Sequence, residues 1–238
     1  MTINQSRNTT IDNSLITNRS EQCLERLAAF INIPAVALQP YKNECIVRQY
    51  NKGQVIYYSS DELTHVYYLI DGYILREHFN MNGDVYRLLN KDDQLFPMHN
   101  LFQDKTTNEM CTAITDFIMI AIPIELIEYL CRNNDKVFIR IYQLLCDNQR
   151  QQIEYHMALS SKSAKARVTK LLIYLCHMIG YDNDEFYEIK SFLTIQMISD
   201  LASISRETTG HIIQELKEHN ILLKHHKNWI ISKQISEL

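Results

Sequence analysis

None of the six cysteines, at positions 23, 45, 111, 131, 146 and 176, stands at CxxC spacing from another. That excludes the common paired-thiolate zinc and dithiol redox motifs. Scattered thiols in a chain of this size fit a reducing compartment better than a disulfide framework, so the protein is expected to be cytoplasmic. Long apolar runs are also missing. The longest, residues 117–124, is too short to cross a bilayer and contains Pro123. The first 20 residues are polar, with no apolar stretch behind a basic start, so neither an export signal nor a membrane partner is expected. Nor is there a large excess of charge: 24 Lys and Arg face 28 Asp and Glu, for a net charge of −4. The balance is uneven, however. Residues 1–159 hold 14 basic and 19 acidic side chains, and residues 160–238 hold 10 and 9. The C-terminal third is thus slightly basic and the rest acidic, which is weak support for nucleic-acid contact at the C-terminal end.

What is present reads as two domains. A chain of 238 residues with 46% hydrophobic content can bury more than one core. Residues 1–20, rich in Asn, Thr and Ser, are expected to be a disordered tail. Residues 21–40 predict a short helix on Leu24, Leu27, Ala28 and Ile31, ended by Pro34. Between 44 and 122, short β-branched and aromatic runs alternate with turn signals, at 46–50, 55–58, 66–70, 73–79, 85–89 and 113–122. Gly53, Gly72 and Gly83 fall between them, and Asn82-Gly83 is a strong hairpin signal. Many short strands with such turns predict a β-roll or barrel over 21–123.

Residues 124–160 predict one long helical stretch. Within it Phe138, Ile141, Leu145, Tyr155 and Leu159 fit a heptad-like seam, interrupted by Asn148 and Gln152. Polar seam positions can fix register and oligomer state. The seam reads equally as a dimerisation helix or as a helix packed on its own β-domain. Residues 160–163 are expected to be a hinge, 166–179 an apolar helix ending at Gly180, and 181–190 a polar loop. Residues 193–217 then have the periodicity of two short helices joined by a tight turn. Ile195, Ile198, Leu201 and Ala202 share one face of the first. Ile212, Ile213 and Leu216 share one face of the second, with Ser205 placed to cap it. The opposite face of the second carries Arg206, Glu207, His211, Gln214 and Lys217, long hydrogen-bonding side chains of the kind that suit a DNA major groove. Residues 221–223 and 229–231 flank a polar segment and predict a β-hairpin wing.

This order of parts closely resembles the Crp/Fnr family of bacterial transcription regulators. The sharpest likeness is Ser205-Arg206-Glu207-Thr208-Thr209-Gly210 with the apolar positions around it. The resemblance implies an α+β fold. Its parts would be an N-terminal cyclic-nucleotide-binding-type β-roll at 21–123, a long dimerisation helix at 124–160 and a C-terminal winged helix-turn-helix at 161–238. Phe96-Pro97 and residues 181–192 make the chain most similar to the arginine deiminase regulators of that family. By resemblance the protein is a homodimeric activator of anaerobic arginine catabolism genes. It would bind a TGTGA-like palindrome and work with RNA polymerase. The family motif assigns guanine reading to Arg206 and acceptance from cytosine N4 to Glu207, in keeping with their chemistry. The family often has a second arginine where this chain has His211, which is shorter and not always charged. Thr194, Ser205 and Lys217 are candidates for phosphate contacts.

The effector side departs from the family pattern. Where cyclic-AMP-binding members carry a Gly-Glu pair, this chain has Pro97 and Met98, and their Arg-Ser pair falls near Thr107 and Asn108. These four residues are the candidate effector pocket, yet they supply a phosphate little positive charge. A cyclic nucleotide such as cyclic AMP is therefore implied by the fold alone, without its usual contacts. No metal or catalytic residue is expected. The family's clustered N-terminal cysteines for an iron–sulfur centre are missing, and buried inert thiols are expected instead. Two other classes compete. A metal enzyme on the β-roll would have to use His65, His78 and His99, which show no H-x-H pair with a following carboxylate. A protein-interaction module would turn the winged helix toward another protein.

Overall fold

A computed structural model describes residues 13–103 and 105–237. The first helix, α1 (Asn13–Phe30), packs Leu24, Leu27 and Ala28 into the core, and Ile31 just past its end continues the i, i+3, i+4, i+7 spacing of that helical face. Asn32, at φ 63, takes the left-handed conformation that ends it. The helix starts earlier than composition indicated: residues 13–20, expected in the disordered tail, belong to it, and residues 1–12 lie outside the described residues.

Eight strands follow: β1 (Ile46–Tyr50), β2 (Val55–Tyr57), β3 (His65–Leu69), β4 (Tyr73–Phe79), β5 (Val85–Lys91), β6 (Gln94–Phe96), β7 (Glu109–Ala113) and β8 (Phe117–Pro123). They form two antiparallel sheets, ordered β1-β8-β3-β6 and β2-β7-β4-β5. The run at 113–122, read as one strand, is divided. β7 pairs with β2 and β4, whereas β8 pairs with β1 and β3, so the chain changes sheets between 113 and 117. The Asn82-Gly83 signal does mark the β4–β5 hairpin. Gly83 sits at φ +83, and the Asn80 side-chain oxygen accepts from the N–H groups of Asn82 and Asp84, each at 2.9 Å. Gly72, at φ +86, turns the chain from β3 to β4 where a Cβ would lie 2.7 Å from Phe117 Cβ.

The stretch read as one long helix is two. α2 (Ile124–Asn133) stops at Asn134, whose backbone is extended and whose side chain accepts from the Lys136 N–H at 3.0 Å, starting α3 (Asp135–Leu159). After it, Ser163 caps α4 (Ala164–Ile179) by accepting from the Ala166 N–H at 3.1 Å. The segment expected as a polar loop contains β9 (Tyr181–Asp182) and β10 (Phe186–Ile189). Then come α5 (Ile195–Ala202), α6 (Arg206–Glu218) and the hairpin β11 (Leu222–His225) and β12 (Asn228–Ser232). β10 pairs with β12, so the wing rests on a four-stranded sheet ordered β11-β12-β10-β9. Trp229 is fully buried beneath it and donates its indole N–H to the Leu193 carbonyl at 2.6 Å.

One apolar core lies in the β-roll. A second fills the C-terminal head and extends to Leu88 and Leu89 of β5 and to Tyr155 of α3. Tyr73 stacks on Phe192 at 4.1 Å between ring centroids, and the Tyr155 hydroxyl donates to the Leu201 carbonyl at 2.7 Å. The head is thereby seated on the roll and on α3.

Candidate nucleic-acid interface

The head builds its candidate reading face from two capped helices. Thr194 accepts from the Met197 N–H at 3.1 Å, and Ser205 accepts from the Thr208 N–H at 3.1 Å, each opening a helix by satisfying a backbone donor that has no partner inside it. Between the helices Ser203 turns the chain at φ 52. Ile198, Leu201 and Ala202 of α5 meet Ile212, Ile213 and Leu216 of α6 in the head core, as their spacing predicts. Arg206, Glu207, His211, Gln214 and Lys217 then fall within about 140° of arc on the outer side of α6. The first four are exposed and Lys217 is half-buried, while Thr194 and Ser205 are exposed at the helix starts. Glu207 also lies in the first turn, where a carboxylate suits the helix dipole.

The wing forms around the polar segment that separates 221–223 from 229–231. His226 (φ 47) and Lys227 (φ 74) form the two-residue turn between β11 and β12, and Lys224 lies over the Trp229 ring at 4.4 Å. Composition located the turn within the polar segment, and the two positive φ angles fix its tip at His226 and Lys227.

The seam on α3 is partly reassigned. Ile141 is buried in the roll core, Tyr155 in the head core, and Leu159 is half-buried against the head, so these three pack within their own chain. Phe138, Leu145 and Gln152 are exposed, joined by Tyr142, Ile153 and Met157. One face of α3 therefore packs on its own chain, and a second apolar stripe faces outward.

The four candidate effector residues do not converge. Met98 helps line a cavity of about 340 Å³ between the roll and α3, with Arg76, His99, Leu145, Cys146 and Gln152. Pro97 is buried beside it in sequence. Thr107 and Asn108 border a different recess with Asp61, Glu62 and Lys105. What the sequence reading missed is the polar cluster inside the roll. Arg76 and His78 lie on the inward side of β4, and Glu109 of β7 is fully buried against them. Arg76 Nε reaches both carboxylate oxygens at 3.0 and 3.1 Å, and Nη2 reaches Oε2 at 2.7 Å. His78 Nε2 is 2.8 Å from Oε2, and the Tyr57 hydroxyl also donates to Glu109. Burial pushes the Glu109 carboxyl up, but the His78 hydrogen bond and the Arg76 charge outweigh it and hold it well below the usual carboxylate range. Burial likewise opposes the Arg76 charge, and the Glu109 carboxylate overcomes it.

Two thiols lie near these features, Cys146 in the cavity wall and Cys111 beside the Glu109 cluster, and the others lie elsewhere. Burial pushes the thiols of Cys45 and Cys131 up to about 11 and that of Cys176 up to about 12, away from reactivity. The three histidines of the enzyme reading do not converge. His65 is engaged with Thr64 at 2.8 Å, and the His78 and His99 rings stand 6.3 Å apart. Among the described residues no trio of His, Cys, Asp or Glu is placed to hold a metal ion, and no helix is long and apolar enough to cross a membrane.

Comparison with known proteins agrees with this architecture. No protein-family model matches the chain. It is 60% identical over 218 residues to the HTH-type transcriptional regulator ArcR of Staphylococcus epidermidis, spanning 92% of this chain and 96% of that protein. Identity to the regulator of the same name in Staphylococcus aureus N315 is 55% over 218 residues, spanning 92% and 93%. Among solved structures, a cyclic nucleotide-binding domain containing protein from Listeria monocytogenes superposes with a TM-score of 0.72 at 12% identity, covering 89% of this chain and 98% of that one. A CRP-family transcriptional regulator from Thermus thermophilus superposes with a TM-score of 0.65 at 14% identity, covering 80% and 93%. These distant structures speak for the fold, a β-roll followed by a helix-turn-helix head, and the close relatives speak for the role. The chain belongs to the Crp/Fnr family of transcriptional regulators, in its ArcR group.

Proposed function

We propose that the protein acts as a homodimer that reads a two-fold near-palindrome and activates genes of anaerobic arginine catabolism. The observation that carries this reading is the outer face of α6. Arg206, Glu207, His211 and Gln214 are exposed together on one short helix whose other side is locked into the head core. Such a helix fits the major groove. Arg206 forks onto guanine O6 and N7, Glu207 accepts from a cytosine amine, and His211 and Gln214 meet the neighbouring base edges. Thr194, Ser205 and Lys217 hold phosphates. The exposed stripe from Phe138 to Met157 supplies the second copy's contact, which sets two reading helices on half-sites about one helical turn, ~34 Å, apart. The pathway and a TGTGA-like half-site come from the resemblance to arginine deiminase regulators, as does RNA polymerase as the partner in activation. Any cyclic nucleotide in the cavity beside α3 would meet Met98 and an Arg76 already paired with Glu109, so its effect on DNA affinity is small.

Selection of bound sequences from a random DNA pool tests the reading directly. A near-palindrome with half-sites one turn apart is the expected product. With Arg206→Ala, affinity for that site should fall by about 1–3 kcal/mol per half-site, and preference should relax at one guanine. Equal weakening on selected and random DNA would refute base reading by Arg206.

A further inference from the structure

We propose that Arg76, His78 and Tyr57 form an oxyanion cradle inside the β-roll, and that its resident anion is the chain's own Glu109 carboxylate. Three different side chains aim donors at one point. The guanidinium contributes a fork, with Nε at 3.0 Å from one carboxylate oxygen and Nη2 at 2.7 Å from the other. An ionised carboxylate only accepts, so His78 Nε2, at 2.8 Å, donates, as does the Tyr57 hydroxyl. The donors come from two strands and the carboxylate from a third. Arg76 and His78 alternate on the inward side of β4, Tyr57 ends β2, and β7, which brings Glu109 opposite His78, runs between them. Arg76, Glu109 and Tyr57 are each nine-tenths buried or more. A planar fork joined by two further donors is the geometry that recognises a carboxylate or a phosphate oxygen pair.

The cradle also touches open space. Arg76 belongs to the wall of the 340 Å³ cavity beside α3, so a small solute entering that cavity reaches the guanidinium. It finds the charge already neutralised. A buried guanidinium without a counter-charge is costly, and Glu109 removes that cost from within the fold. The roll is consequently held in an anion-filled condition while Glu109 is ionised, and an external carboxylate or phosphate has no vacant partner. Once the Glu109 side chain is removed, the same donors should take a small carboxylate from solution.

The test is thermal unfolding of the full chain carrying Glu109→Ala, in sodium acetate, in inorganic phosphate and in sodium chloride of equal ionic strength. The variant should unfold at a lower temperature than wild type and recover saturably with acetate. At acetate a hundredfold above its dissociation constant, the recovery should be about 5–10 °C. Wild type, and a Glu109→Met, Arg76→Met double variant that lacks the buried charges, should respond to acetate no more than to chloride. Recovery by phosphate as well would mark the cradle as a general oxyanion site, and recovery by acetate alone would mark it as selective for carboxylates. If the variant is recovered insoluble, refolding yield with acetate against chloride gives the same answer, equal yields counting against the cradle. An acetate effect no larger than that of chloride, or a wild type that responds as strongly as the variant, overturns the proposal. The readout is the stability of the roll, so it is independent of which DNA the heads read.

Discussion

The seat of the head on α3 can be tested at a single hydroxyl. Leu201 lies in the last turn of α5, where helix carbonyls have no partner within the helix. The Tyr155 hydroxyl, reaching across from α3, donates to that carbonyl at 2.7 Å. Tyr155 is 2% exposed, so water does not readily take the hydroxyl's place. Tyr155→Phe keeps the ring, and with it the packing on Tyr86 and Tyr174, and removes only the donor. The lost bond and the carbonyl left buried without it should together cost about 1–2 kcal/mol. That shifts the unfolding equilibrium of the head by about 5–30-fold. Trp229 is the only tryptophan of the chain and lies fully buried in the head. Its fluorescence during urea unfolding therefore follows the head rather than the roll. The expected result is a lower midpoint for Tyr155→Phe, with Tyr174→Phe in the same aromatic group as a control that stays within about 0.5 kcal/mol of wild type. A Tyr155→Phe transition that coincides with wild type would refute the claim that this bond secures the head.

Replacing Lys217 with Ala should weaken binding to all DNA sequences alike and reduce the salt slope of log affinity by about one, measured by fluorescence anisotropy across a salt series. Tyr142→Glu, in the middle of the exposed stripe of α3 and 61% exposed, should leave the monomer folded and shift sedimentation toward a single copy. An unchanged sedimentation coefficient would remove the stripe from the dimer contact. Glu109 has a folded pKa below its unfolded value, so its contribution to stability is present above the unfolded value of about 4.3 and is lost as pH falls from there toward the folded one. Acid unfolding of wild type should therefore steepen below about pH 4 relative to Glu109→Gln, which has no such carboxyl to protonate.

Particular residues show how far the sequence could be read. The helix-turn-helix was legible because its apolar positions at 195, 198, 201 and 202 and at 212, 213 and 216 repeat at the helical period, and because Thr194 and Ser205 are side chains that cap. Local chemistry decides such elements. The β4–β5 hairpin was legible for the same reason, through Asn82-Gly83. The break at Asn134 was missed although Asn133-Asn134-Asp135 is a run of residues that cap and turn, because an apolar helical period continues on both sides of it. β10 was hidden in a polar segment because its local partner, β9, is only two residues long and its main partner, β12, lies about forty residues on, where pairing leaves no mark in a local window.

The amino-acid order by itself determined the periodicities, the caps, the turn residues and the outer face of α6, since each depends on neighbours a few positions away. Only the tertiary structure decided how those parts are used. It turned Ile141 and Tyr155 of one heptad seam inward and left Phe138, Leu145 and Gln152 outward, because two domain cores meet α3 on the same side. It separated Met98 from Thr107 and Asn108, which a linear match had placed in one pocket. It also brought Arg76 and His78 of one strand to Glu109 of another, where a buried carboxylate and guanidinium can persist only as partners. Pairings of that kind depend on which strands lie side by side, and strand order is set by the burial of whole sheets rather than by any short run of sequence.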